Sequence, residues 1–258
     1  MTPAGVTIVE QLLAAARQLR DDCDQIRFNS PITHVYNPLH YAYAPYEQYV
    51  RRFGNAPKHA VFLGMNPGPF GMMQTGIPFG EVAAVRDWMQ IQAQVDKPAS
   101  QHGKRPIDGF ACSRSEVSGK RLWAWAANQF GSAENFFGLS YVLNYCPLVF
   151  LEASGRNFTP DKLPAVTARQ LAAACDRHLI LSLNALQPRW AIGVGAYAAK
   201  RLQLVLLQSR ATEDAAVTRA WALPKVIQIL HPSPASPVAN RGWEQAIVET
   251  LVQHRVYA

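Results

Sequence analysis

Charge and cross-linking chemistry are scarce in this chain. Only four cysteines occur in 258 residues. Cys23, Cys112, Cys146 and Cys175 form no Cys-x-x-Cys pair and no His/Cys spacing of a metal site, so neither a disulfide scaffold nor a bound metal is expected. That pattern suits a reducing compartment: the cytoplasm or nucleoid of a bacterium, or the nucleus of a eukaryote. No apolar run reaches the roughly 20 residues that span a bilayer, and Met1-Thr2-Pro3-Ala4-Gly5 lacks a basic leader, so a soluble protein without membrane contact is expected. Internal repeats and low-complexity linkers are missing, and the Pro-rich stretch 231–237 is too short to divide domains. No Gly-x-Gly-x-x-Gly follows a strand and opens a helix, which argues against a dinucleotide-dependent dehydrogenase. Only 17% of residues are charged, but the net charge is +7, which favours polyanionic partners such as nucleic acid. With 49% hydrophobic residues, the length fits one α/β domain over residues 1–258.

Apolar runs alternate with helical patterns along the chain. Helices are expected over residues 6–23, 81–94, 119–130, from 160 toward 186 with a break near Pro164, and over 195–208 and 238–254. Strands are expected over 60–65, 137–145, 189–194 and 225–230. Such alternation predicts a three-layer α/β/α fold around a central four-stranded parallel sheet. Ligands of such sheets bind beyond the carboxyl ends of the strands.

Three motifs lie at those ends. The first is Gly64-Met65-Asn66-Pro67-Gly68-Pro69-Phe70-Gly71-Met72, continuing to Pro78-Phe79-Gly80-Glu81. Its glycines permit close ligand approach and its prolines stiffen the loop. The polar groups it contains, Asn66, Gln74 and Thr75, are neutral, as a pocket for a polar ring requires. The second is Asn144-Tyr145-Cys146-Pro147-Leu148, with Asn144 facing the pocket and Tyr145 turned away. The third is His231-Pro232-Ser233-Pro234-Ala235-Ser236-Pro237, a stiff protruding loop. Each residue taken singly has an ordinary reading: turn former, core aromatic, structural histidine.

Together and in this order the motifs resemble those of the single-strand-selective monofunctional uracil-DNA glycosylases, a branch of the uracil-DNA glycosylase superfamily. The segments Lys104-Arg105-Pro106, Ser115-Glu116-Val117-Ser118-Gly119 and Ala239-Asn240-Arg241-Gly242-Trp243-Glu244 extend the resemblance, which runs from about Tyr36 to Glu244. It implies a monofunctional, cofactor-free enzyme of base excision repair. Such an enzyme flips uracil or 5-hydroxymethyluracil out of DNA and hydrolyses the N-glycosidic bond. By position, Asn66 matches the residue that holds the attacking water and His231 the histidine beside uracil O2. Phe79 matches the stacking aromatic, and Asn144 the amide that reads the base edge. Gly68 and Met72 match backbone contacts near C5, while Met65 and Phe70 complete the substrate-binding set. Ser233, Pro234, Ala235, Ser236 and Arg241 stand at the DNA-binding loop, where the family commonly has an Arg-Asn wedge in place of Ala235-Ser236. Alanine cannot fill the gap left by a flipped base, so DNA is the expected partner in single-stranded form, with duplex less accessible and the protein a monomer.

The chemistry of these residues is coherent. An Asn amide offers one donor and one acceptor, matching O4 and N3–H of uracil and mismatching cytosine. Asn66 can orient water but cannot take its proton as a carboxylate would, which places the burden on leaving-group stabilisation. No lysine lies in the three motifs, so a Schiff-base strand-cleaving step is not expected. Two other readings stay open: a glycosylase of the same superfamily acting on hypoxanthine or xanthine, and a non-catalytic binder of damaged or single-stranded DNA.

Overall fold

A computed structural model of the chain describes residues 5–211 and 222–257. Four parallel strands form the expected sheet: β2 (Ala60–Gly64), β3 (Ser140–Asn144), β6 (Trp190–Val194) and β7 (Lys225–Ile229), in the order β3-β2-β6-β7. β2, β3 and β6 are buried at every position, as strands covered on both faces must be. The order reverses between β2 and β6, which creates a switch point at their carboxyl ends. The register sets Gly64 directly beside Asn144, and the pairing continues past the sheet as Tyr145 and Cys146 donate to the carbonyls of Gly64 and Met65 at 2.9 Å each.

Helices flank this sheet. α1 (Ile8–Asp24) packs on α7 (Ala165–Leu186), and α8 (Ala196–Ala211) packs on β6 and β7. α5 (Val117–Phe130) contacts α9 (Pro237–Gln253), which is interrupted at Gly242. α1 starts at a capping box, with Thr7 and Glu10 exchanging hydrogen bonds. Gly193 has no room for a side chain because the backbone of Ala199 lies against it, so α8 sits close on β6. Phe62 packs with Trp125 and Phe136, and Tyr49 packs with Phe53, Phe137 and Tyr141. This aromatic core lies beneath the strand ends and fixes their positions.

Two segments depart from the sequence-based expectation. Residues 81–94 form one wide helical turn over Ala84–Trp88 and then run on irregularly. The apolar spacing reports the burial of Val85, Met89 and Ile91, but Gln90 adopts φ +54° and Arg52 takes the carbonyls of Met89 and Gln90 at 2.5 and 3.3 Å. A guanidinium thus satisfies acceptors that a helix would have used. The strand expected from 137 begins at Ser140, because α6 (Ala133–Leu139) precedes it, capped by Ser132, which accepts the Asn135 amide at 3.2 Å.

A second sheet was not anticipated from the sequence. β1 (Ile32–Tyr36), β4 (Val149–Glu152) and β5 (Asn157–Phe158) pair antiparallel in the order β1-β4-β5. Between β1 and β2 lie α2 (Pro38–Tyr41) and α3 (Tyr43–Phe53); the one-turn α4 (Met72–Thr75) follows β2.

Candidate active site

The loop after β2 is held from beneath. Tyr41 donates to the Met73 carbonyl at 2.7 Å, and Thr75 donates to that of Gly80 at 2.9 Å. Gln74, 1% exposed, donates to the carbonyls of Pro69 and Pro106 and accepts the amides of Asp108 and Gly109. Gln74 and Thr75 are therefore structural, and Asn66 alone of the three neutral polar groups lines the pocket. Gly76 closes α4 at φ +74°, where its amide bonds Met72 O at 2.8 Å.

Phe79 is brought to the pocket at an unusual backbone angle, φ +53°. A bulky residue there costs on the order of 1–3 kcal/mol and persists only where its surroundings impose it. Here Trp123 donates to Phe79 O at 2.8 Å, and Gly119 leaves room for that carbonyl where any Cβ would collide. The ring then lies against Gly64 and 6.4 Å, centroid to centroid, from the ring of His231.

Asn144 is 7% exposed and points its Nδ2 at Met72 Sδ, 3.2 Å away. A thioether is a weak acceptor, so a ligand carbonyl arriving there would form the stronger bond. Burial lowers the pKa of His231 below 6.5, which leaves a neutral imidazole at pH 7. Its loop is clamped: Trp243 donates to Leu230 O at 2.7 Å, and Arg121 reaches the carbonyls of Pro232 and Ser233 and Asn240 Oδ1.

These groups converge on a cleft of about 400 Å3 at the switch point, lined by Met65, Asn66, Gly68, Met72, Phe79, Asn144 and His231. Glu116 also lines it and was assigned no role from sequence. Its carboxylate packs on Gly68 and accepts the Phe70 amide at 3.3 Å. Burial raises its pKa; the Phe70 amide opposes this and the Glu81 charge adds to it.

Residues 52–251 match the Uracil DNA glycosylase superfamily. The chain belongs to this superfamily. It is 43% identical over 251 residues to the single-strand selective monofunctional uracil DNA glycosylase of Bos taurus, covering 96% of this chain and 88% of that protein. The Rattus norvegicus protein of the same name is 43% identical over 253 residues, covering 97% and 86%. The fold is that of Pedobacter heparinus SMUG2, whose crystal structure superposes with a TM-score of 0.61 at 15% identity, over 93% of this chain and 98% of that one.

Within this glycosylase-superfamily site, the remaining residues singled out from sequence divide. Ser233 and Pro234 line the rim, and Ala235 is exposed beside them. The Ser236 side chain caps α9 by accepting the Ala239 amide at 3.3 Å. Arg241 lies away from the cleft, in a surface hollow with Arg121 and Trp243. Phe70 does not line the cleft; its ring lies beneath the guanidinium of Arg114, 4.0 Å from centroid to Cζ. Tyr145 turns away as expected, donating to Asp176 at 2.7 Å. Asn157 and Thr159, which line the far wall, were invisible in the sequence because the antiparallel sheet delivers them. For Glu116 the Ser-Glu-Val-Ser-Gly segment was the signal, and only the fold shows where the carboxylate points.

Gly64 gives a direct test of the packing. A Cβ there would fall 2.6 Å from the Phe79 ring and closer still to Asn144 Oδ1. Gly64→Ala should lower base release by about 10²-fold, the cost of a displacement near 1 Å, with the circular dichroism spectrum unchanged. Full activity would show that Asn144 and Phe79 need not be held where they are.

Proposed function

We propose that this protein is a monofunctional uracil-DNA glycosylase of base excision repair, acting as a monomer on single-stranded DNA. The observation that carries the reading is the convergence of Phe79, Asn144, Asn66 and His231 on one cleft. Uracil stacks on Phe79, which returns roughly 1–3 kcal/mol of the few kcal/mol spent in extracting the base. Asn144 Nδ2 leaves Met72 Sδ for O4, while its Oδ1 accepts N3–H. Cytosine, with donor and acceptor reversed, leaves both groups unpaired. As the glycosidic bond breaks, electrons move to the base and charge gathers on O2, where neutral His231 donates. Water oriented by Asn66 adds to the cationic sugar carbon and loses its proton to solvent.

The substrate range includes 5-hydroxymethyluracil. The Met72 amide, in the first turn of α4, has no intrahelical acceptor. It can hold a water near C5, and a hydroxymethyl group can replace that water. The uncharged residues Ala235 and Ser236 support preference for a single strand, since neither fills the gap in a duplex.

Asn66→Ala tests the catalytic half of this reading. Loss of water positioning should lower the single-turnover rate of uracil release by about 10²-fold, with binding of a uracil-containing strand little changed. Equal rates in wild type and variant would remove Asn66 from the reaction. Parallel assays on a 5-hydroxymethyluracil strand test the range, and release of uracil alone would exclude the wider substrate.

A further inference from the structure

The loop that walls the cleft has a second face. Its inner side presents Gly68, Gly71 and Met72 to the site, while Phe70 turns outward into a separate hollow of about 180 Å3. Lys104, Arg105 and Arg114 line that hollow, with Asp108 the one acidic side chain among its lining residues. Arg114 lies over the Phe70 ring at 4.0 Å and Arg105 at 5.4 Å. None of the three cations enters an ion pair among the described residues.

Arg105 and the backbone that carries Lys104 are held in place. Arg105 Nε donates to Gly155 O at 2.8 Å, and its carbonyl accepts from the Tyr36 hydroxyl at 3.1 Å. The Tyr36 hydroxyl also accepts the His102 amide at 2.6 Å, and Gln74 binds the amides of Asp108 and Gly109. The segment carrying Lys104 and Arg105 is thus tied to both β1 and α4. The loop of the opposite rim, residues 232–237, carries no charged side chain, and Arg121 beside it is engaged with the carbonyls of Pro232 and Ser233. A nucleotide seated in the cleft has a phosphate on either side, and the strand must leave across a rim. Among the described residues, the Phe70 rim combines adjacency to the cleft with three cations outside any ion pair.

We propose that Lys104, Arg105 and Arg114, organised around Phe70, bind the phosphates of the DNA strand flanking the nucleotide in the cleft. The inference rests on the glycosylase reading for what occupies the cleft. It reassigns Phe70 from contact with the base to support of the cations that hold the backbone. Guanidinium groups stacked on an aromatic ring keep their N–H edges free for phosphate oxygens.

Binding of a fluorescent single-stranded 15-mer without uracil, measured by anisotropy from 50 to 200 mM salt, tests this directly. Each lost phosphate contact reduces the slope of log K against log salt by about 0.7 on a single strand. The triple variant K104Q/R105Q/R114Q should therefore lose about 2 from the slope. The single variant R114E gives the same direction if the triple variant folds poorly. The control R27Q/R189Q/K225Q removes three exposed charges outside both hollows and should leave the slope near that of wild type. An unchanged slope in both patch variants, or an equal loss in the control, overturns the proposal. A second arm follows single-turnover uracil release against protein concentration, in which the patch variants should need more protein than wild type to reach the half-maximal rate. If wild type releases no uracil, the glycosylase reading fails while the slope still reports on the patch.

Discussion

His231→Ala should lower the single-turnover rate of uracil release by about 10²–10³-fold, the usual cost of losing one donor to a developing oxyanion. Binding of the intact strand should change far less, because O2 carries little charge until the glycosidic bond lengthens. The group acts as a neutral donor. Burial holds its pKa below 6.5, so from pH 6.5 upward the neutral imidazole is the majority form and the wild-type rate should rise by less than about twofold between pH 6.5 and 8.5. Were the imidazolium the active form, the rate would fall about tenfold per pH unit as pH rises through that range. His231→Gln keeps a neutral N–H donor and should recover part of the loss. The measurement is the pH–rate profile of wild type beside the two variants; a wild-type rate that declines steadily above pH 6.5 would reject the neutral donor.

Asn144→Asp should be more damaging for uracil and should change what the site accepts. A carboxylate only accepts hydrogen bonds, so O4 would face a second acceptor in place of Nδ2. A site whose polar groups are left unpaired discriminates by about 10⁴–10⁵, so with the carboxylate ionised uracil release should fall by about 10⁴, and it should recover in part where the carboxyl is protonated and can donate to O4. Position 144 is almost fully buried, so the new carboxyl would have a raised pKa. Protonated, it donates to cytosine N3 and accepts from cytosine N4, the reverse of the Asn pattern. Cytosine release should therefore appear as a weak activity that grows as pH falls through the raised pKa. Matched strands carrying uracil or cytosine, assayed between pH 5.5 and 8, separate the two effects. Uracil release within tenfold of wild type would mean that Asn144 does not read the base.

Both residues were legible because their signals are local. β2, β3, β6 and β7 appear in the sequence as apolar runs stopped by Asn66-Pro67, Pro147, Gly195 and Pro232, and a parallel sheet collects its ligand groups at such stops. The geometry that makes Asn144 usable was not legible. It depends on the Gly64–Asn144 register, on Phe79 held at positive φ, and on Arg121 clamping a loop more than 100 residues away. Those are tertiary facts that no window of sequence contains. The segment 81–94 shows the limit from the other side: its spacing records which residues are buried, and Arg52 decides what the backbone does. The antiparallel sheet was missed because β4 and β5 have only four and two residues and β1, as long as the central strands, carries Thr33 and His34 in place of a continuous apolar run. With it went Asn157 and Thr159. Phe70 has the character of a pocket aromatic, but its ring turns to the other face of a loop whose Pro69 and Gly71 line the cleft.

The cleft of Asn66, Phe79, Asn144 and His231 should cleave one bond, between uracil and its sugar, and leave the strand intact. A uracil-containing single strand incubated with the protein in EDTA, then split into samples with and without hot alkali, measures this in one gel. A cut strand after alkali and an intact strand without it are the expected result. An intact strand in both samples would contradict the enzyme, and a strand cut without alkali would contradict the monofunctional mechanism.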